Sequence, residues 1–119
     1  ICPHCRVSRS FTNAEILKMS PSLKAFFPET KITLYQGKGC TSCADSGYQG
    51  RIALHEFIPV TGELKNLILK NPSSQEIWKI AKDQGGKTIF EDGIEKVKNG
   101  ITTLEELLRV AEAPGLNKY

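Results

Sequence analysis

What this chain has little of narrows it first. Cysteine occurs four times, histidine twice, and tryptophan and methionine once each in 119 residues. So few ligating side chains leave room for one metal site or two disulfides and little else. Apolar runs are only a few residues long, too short to cross a bilayer. Basic residues outnumber acidic ones only 16 to 13, and the two signs are interspersed. That is a solvated surface, not the clustered Lys and Arg of a nucleic-acid footprint, so no nucleic-acid partner is expected. The pattern Gly-x-x-x-x-Gly-Lys-Ser/Thr occurs nowhere. Without that phosphate cradle the chain alone is not expected to bind or hydrolyse ATP.

What is there begins with the cysteines. They form two pairs, Cys2-Pro3-His4-Cys5 and Cys40-Thr41-Ser42-Cys43. A Cys-x-x-Cys turn aims two sulfurs at one ion, and four thiolates suit a closed tetrahedral zinc site that staples a fold and does no chemistry. Cys2, Cys5, Cys40 and Cys43 are the candidate ligands, with structural zinc as the expected cofactor. His4 could replace a cysteine as ligand but is expected to be exposed. Two disulfides are the competing reading, set against it by the lack of a visible secretory signal. A redox Cys-x-x-Cys would open a helix beside a βαβ pattern, and neither pair does. Gly37, Gly39, Gly47 and Gly50 flank the second pair, where a backbone that reaches positive φ can approach the sulfurs closely.

Local patterning predicts an α+β fold that is mostly α. Arg6–Ser10 is polar and reads as loop. Thr12 or Asn13 caps a short helix to about Met19, and Pro21 opens another that ends near Phe27. Phe26 and Phe27 are expected beside the metal. Lys31–Tyr35 reads as a strand. Arg51–Ile58 carries the strongest strand signal, with apolar residues on both faces as in a strand buried within a larger sheet. With that sheet missing, the segment is expected to pair with residues 31–35 or with a second copy of the chain.

The remainder reads as helical. Thr61 caps a helix bearing Leu64, Leu67 and Ile68. Ser73 and Glu76 form a capping box for one bearing Ile77, Ile80 and Ala81, stopped at Gly85-Gly86. Trp78 is expected at a subdomain junction. Thr88 opens a helix with Phe90, Ile94 and Val97, stopped at Asn99-Gly100. Thr102 with Glu105, or Thr103 with Glu106, opens the last, bearing Leu104, Leu107, Leu108 and Ala111. These helices are expected to form one compact bundle. At 39% hydrophobic residues the two ends are expected to hold separate small cores, the metal stabilising the first. The expected organisation is a tetracysteine zinc-binding subdomain over 1–48, a late core strand over 49–60, a helical subdomain over 61–112 and a tail over 113–119. The start at Ile1, one residue before a ligand, reads as a fragment whose larger part lies upstream.

In order, Cys-Pro-x-Cys, Gly-x-Gly-Cys-x-x-Cys, Gly-Tyr-x-Gly-Arg (47–51) and His55-Glu56 resemble the C-terminal part of the bacterial type II secretion and type IV pilus assembly ATPases. Gly86-Lys87-Thr88, Asp92-Gly93, Lys96-Val97, Gly100–Glu106 and Arg109-Val110 resemble the closing signature of that family. The likeness covers residues 1–112. It implies a hexameric cytoplasmic P-loop motor with a RecA-like core, lying against the inner membrane and driving protein transport or pilus assembly. ATP and magnesium would belong to the parent protein, since the family's phosphate-binding loop, acidic boxes and histidine box precede this region. His55 is therefore not the histidine box. Partners implied are the motor core, neighbouring subunits of a homo-hexamer and an inner-membrane platform protein. The four cysteines match the family's zinc-binding subdomain one for one, and residues 50–58 match a late strand of its core.

No catalytic residue is assigned. Adjacent glutamates on a helix point about 100° apart, so Glu105 and Glu106 read as first-turn acids facing the helix dipole. Asp92 and Glu95 are likewise read as structural. Arg51 either contacts a nucleotide or a neighbouring subunit, or is a surface arginine at a strand start. Two further readings stay open: a zinc-binding chaperone-like or protein-interaction module, and a zinc ribbon for nucleic acid, which lacks a basic aromatic face.

Overall fold

The computed structural model describes residues 1–111. The expected tail at 113–119 and residue 112 lie outside them. The described chain is mixed, mostly helical and elongated, 55 × 30 × 20 Å. Its first element is β1, Arg6–Thr12, which pairs antiparallel with β2, Lys31–Gly37. The register runs from Arg6 opposite Gly37 to Thr12 opposite Lys31. Arg6–Ser10 is thus a strand and not the expected loop. Its polarity hid a period-two row: Val7, Arg9 and Phe11 share a face with Gln36, Leu34 and Ile32. Only Phe11 of β1 carries a large apolar side chain inward, and the ladder with β2 supplies the rest. The Arg9 guanidinium lies 4.5 Å from the Phe11 ring centre, covering its outer side.

Between the strands stand α1, Asn13–Met19, and a 3-10 turn, Pro21–Ala25. Thr12 caps α1 by accepting from the Glu15 amide, while the Glu15 carboxylate accepts from the Thr12 amide. The later helices are α2 (Gly62–Ile68), α3 (Ser74–Asp83), α4 (Ile89–Lys98) and α5 (Leu104–Val110). Each starts at the expected hydroxyl: Thr61, Ser73, Thr88 and Thr103. Both expected glycine stops hold. At the end of α3 the Gly86 amide reaches the Ala81 carbonyl at 2.6 Å. At the end of α4 the Ile101 amide reaches Lys96 at 2.9 Å. Gly85 and Gly100 sit at φ +92° and +75°, the left-handed turn this stop requires.

Among the helices, α2 packs with α3, and α4 with α5 and β2. Two expectations change. The two ends of the chain do not hold separate cores. Ile16, Leu23, Phe27 and Leu34 from the first third are buried in one cluster with Phe90, Ile94, Val97, Leu104 and Leu107 from the last. Phe26 and Phe27 join that cluster, Phe26 meeting Phe90 edge-on at 5.4 Å. A small sheet has one apolar face to bury, and the apolar stripe of α4 packs against β2 to help cover it. Burial of this shared core is what unites the two ends of the chain.

The second change concerns Arg51–Ile58. Despite its pattern it forms no ladder, and makes only one bridge, Phe57 with Lys87. The strand at residues 31–35 pairs with β1 instead. Ile52 and Phe57 are left about half exposed, at 48% and 52%. Trp78 on α3 is half-buried. None of the helices of the described residues is long and apolar enough to cross a membrane.

Candidate metal centre

The two cysteine turns meet because the β1–β2 ladder brings their flanks together. Cys5 immediately precedes β1 and Lys38 immediately follows β2, and the Lys38 amide donates to the Cys5 carbonyl at 3.1 Å. The Cys2 amide donates to the Gly47 carbonyl at 2.9 Å, closing the other side. The ladder register therefore sets the distance between two pairs 34 residues apart in sequence.

All four sulfurs lie within 4.8 Å of one another. Cys2 and Cys40 stand 3.8 Å apart, Cys5 and Cys43 3.9 Å, and Cys40 and Cys43 3.7 Å. Four sulfurs bound at about 2.3 Å to a tetrahedral ion would stand about 3.8 Å apart. Bonded sulfurs would be about 2.05 Å apart, and all four cysteines are free thiols. The donor set thus fits a metal ion and not the disulfide alternative.

Backbone amides aim at the sulfurs as well. Gly39 donates to Cys5, while Cys40 and Gly47 donate to Cys43, each at 3.3 Å. Amide donors stabilise thiolate over thiol. At Cys43 burial pushes the thiol up, but the Gly47 and Cys40 amides outweigh it and bring the pKa down to about 6. At Cys5 burial dominates, the Gly39 amide opposes it, and the neighbouring sulfurs add to the rise, to about 11. Four thiols this close cannot all ionise unaided; a dication held by them would supply the missing positive charge.

Gly39 and Gly47 take φ of +95° and +80°, as their place beside the cysteines suggested. Ala44 and Asp45, also left-handed at +51° and +61°, complete the turn after Cys43. The amide donors themselves were not legible, because any non-proline residue carries one. His4 is exposed, as expected, and is not part of the sulfur cluster.

Residues 1–109 match the family described as Type II/IV secretion system protein. This chain belongs to the type II/IV secretion system protein family. Relatives carry both branches of that description. The chain is 40% identical over 108 residues to the type IV pilus assembly ATPase PilB of Thermus thermophilus, covering 91% of this chain and 12% of that protein. It is 34% identical over 110 residues to type II secretion system protein E of Pseudomonas aeruginosa, covering 92% of this chain and 21% of that protein. The chain spans between about an eighth and a fifth of the length of these relatives.

The other candidate positions of this family member fall away from the sulfurs. Arg51 and His55 are exposed. Arg51 has no ion-pair partner among the described residues, and the His55 amide donates to Asp92 at 2.9 Å. Glu105 and Glu106 lie in the first turn of α5, as read from the sequence, and Glu106 pairs with Arg109 one turn on. Asp92 is paired with Lys96 and Glu95 with Lys87, so each acid already has a structural partner. Contacts that tie the cysteine turns to the helical end include the Arg6 guanidinium to the Gly100 carbonyl at 3.2 Å, and the Tyr48 hydroxyl to the Thr103 hydroxyl at 2.7 Å.

Proposed function

We propose that this chain is an accessory, non-catalytic region of a secretion or pilus-assembly ATPase, stapled by one structural zinc ion on Cys2, Cys5, Cys40 and Cys43. The observation that carries the reading is the clustering of all four sulfurs within 4.8 Å, three of their pairs at 3.7–3.9 Å, in a chain of this family. Four sulfur ligands leave no open position for substrate or water, so the ion holds the fold together. Zinc is preferred over harder dications because all the donors are thiolates.

In this reading ATP and magnesium act in the parent motor, outside these residues, where hydrolysis drives type II secretion or type IV pilus assembly. The region supports a hexamer, joining its own motor core and neighbouring subunits. Residues 49–60 supply a late strand to that core. The assembly works in the cytoplasm, held at the inner membrane by a platform protein. The relatives' names, a type IV pilus assembly ATPase and a type II secretion protein, support the motor part of this reading.

Elemental analysis of protein expressed without added zinc is the test. One zinc per chain is expected, together with no saturable ATP turnover. Metal-free protein with two disulfides would overturn the zinc, and clean ATP turnover would overturn the accessory role.

A further inference from the structure

Residues 53–57 run beside α4 with backbone pairing at one point only. There Phe57 and Lys87 exchange both backbone hydrogen bonds, at 3.0 Å each. Beyond Lys87 the chain turns into α4, and a helix spends its backbone groups on itself. Side chains continue the pairing instead. Asp92 Oδ2 accepts from the His55 amide at 2.9 Å, and Lys96 Nζ donates to the Ala53 carbonyl at 2.7 Å. Asp92 and Lys96 are also ion-paired, at 2.5 Å, with only 16% and 21% of their side chains exposed. Glu56 answers from the segment, accepting from the Ile89 amide at 3.4 Å, one of the amides that a helix start leaves unpaired.

The spacing explains why a helix can do this. Asp92 and Lys96, four residues apart, are separated by about 6 Å along the axis. Ala53 and His55, two apart in an extended chain, are separated by about 6.7 Å. One helical turn therefore keeps step with one ladder rung. The chemistry also matches: a carboxylate stands where a strand would offer C=O, and an ammonium where it would offer N–H. The order is antiparallel, with Phe57 on Lys87, His55 on Asp92 and Ala53 on Lys96.

We propose that Asp92 and Lys96 are positioning residues that form a substitute strand edge. Through them α4 holds residues 53–57 as a strand with one edge filled by the helix. The other edge, the backbone groups of Ile52, Leu54 and Glu56, is left open; these have no hydrogen-bond partner among the described residues. An i,i+4 ion pair on a helix contributes only a few tenths of a kcal/mol by itself. Its role here is to hold both charged heads where the segment's backbone needs them.

Amide hydrogen exchange on the whole chain, resolved by NMR, tests it. The unsubstituted chain should alternate, with His55 and Phe57 slow and Leu54 and Glu56 fast. Asp92→Ala should speed exchange at His55 roughly ten- to a hundredfold, the worth of one charge-assisted bond, while Val97 stays protected. Lys96→Met should do the same more weakly, and Lys96→Arg should restore protection. His55 exchanging as fast as Leu54 in the unsubstituted chain would overturn the proposal. So would an Asp92→Ala chain whose His55 and Val97 amides are both unchanged. Should Asp92→Ala fail to fold, the alternation in the unsubstituted chain decides alone.

Discussion

The carbonyl oxygen of Gly47 occupies the place where Gly37 would carry a side chain. A β-carbon on Gly37 would lie 2.1 Å from that oxygen and 2.6 Å from the Gly47 α-carbon. The end of β2 and the loop after Cys43 touch backbone to backbone, and the Gly47 amide and carbonyl then serve Cys43 and Cys2. Gly37→Ala should therefore push the two cysteine turns apart. We expect weaker metal binding and a stability loss toward the upper end of about 1–3 kcal/mol for overpacking. Gly50→Ala is the comparison, since nothing lies within 4 Å of its β-carbon position and only its φ of +72° is strained. Chelator competition and thermal melting of the two variants should rank Gly37→Ala as the more damaging.

Gly93→Ala sets helix propensity against packing. Propensity favours alanine inside a helix by about 1 kcal/mol. Yet a β-carbon at Gly93 would sit 2.2 Å from Leu107 Cδ1, and Leu107 is buried at 1% exposure. Moving Leu107 disturbs the core shared with Phe90 and Leu104. Packing should win, with a net loss of about 1–2 kcal/mol in chemical denaturation. A stabilised Gly93→Ala chain would show that α4 and α5 have slack between them.

On the proposed zinc reading, removing the metal should loosen the protein locally. Because one core joins both ends of the chain, a strong chelator or Cys40→Ser should free the two cysteine turns and residues 38–50. The amides of Gly39 and Gly47, which point at sulfurs, should lose exchange protection first. The amides of Ile94 and Val97 should keep theirs, since Phe27, Leu34 and Phe90 still cover them. Simultaneous loss at all four positions would mean that the core does not stand without the ion.

Acid should undo the contact between α4 and His55. Hydrogen bonding from Lys96 is the main cause that holds the Asp92 carboxyl below its ordinary value; burial opposes it, and the His55 amide adds to it. A depressed folded pKa means that the unfolded chain takes up the proton first as pH falls. The contribution of Asp92 to stability is thus present above the ordinary carboxylate value of about 3.9 and is lost as pH falls through the lower folded value. A carbon-detected titration of the Asp92 carboxyl should give a midpoint under about 3.9, moving upward in Lys96→Met.

Much of this molecule was set by neighbouring residues and could be read from them. Thr12, Thr61, Ser73, Thr88 and Thr103 start helices, and Gly85 and Gly100 stop two of them, because capping needs only groups within a few residues. The cysteine pairing was legible for the same reason, each turn being four residues long. Tertiary structure decided what depends on distant partners. Polar Arg6–Ser10 became a strand because Lys31–Gly37 was there to pair with it, while Arg51–Ile58, with the stronger pattern, found only Lys87 and the side chains of α4. A strand's hydrogen bonds lie outside itself, so its sequence states a capacity to pair and the fold supplies or withholds the partner. The single core follows the same rule. The stripes of Ile16–Leu34 and Phe90–Leu107 each asked for cover, and only their meeting in three dimensions showed that each covers the other.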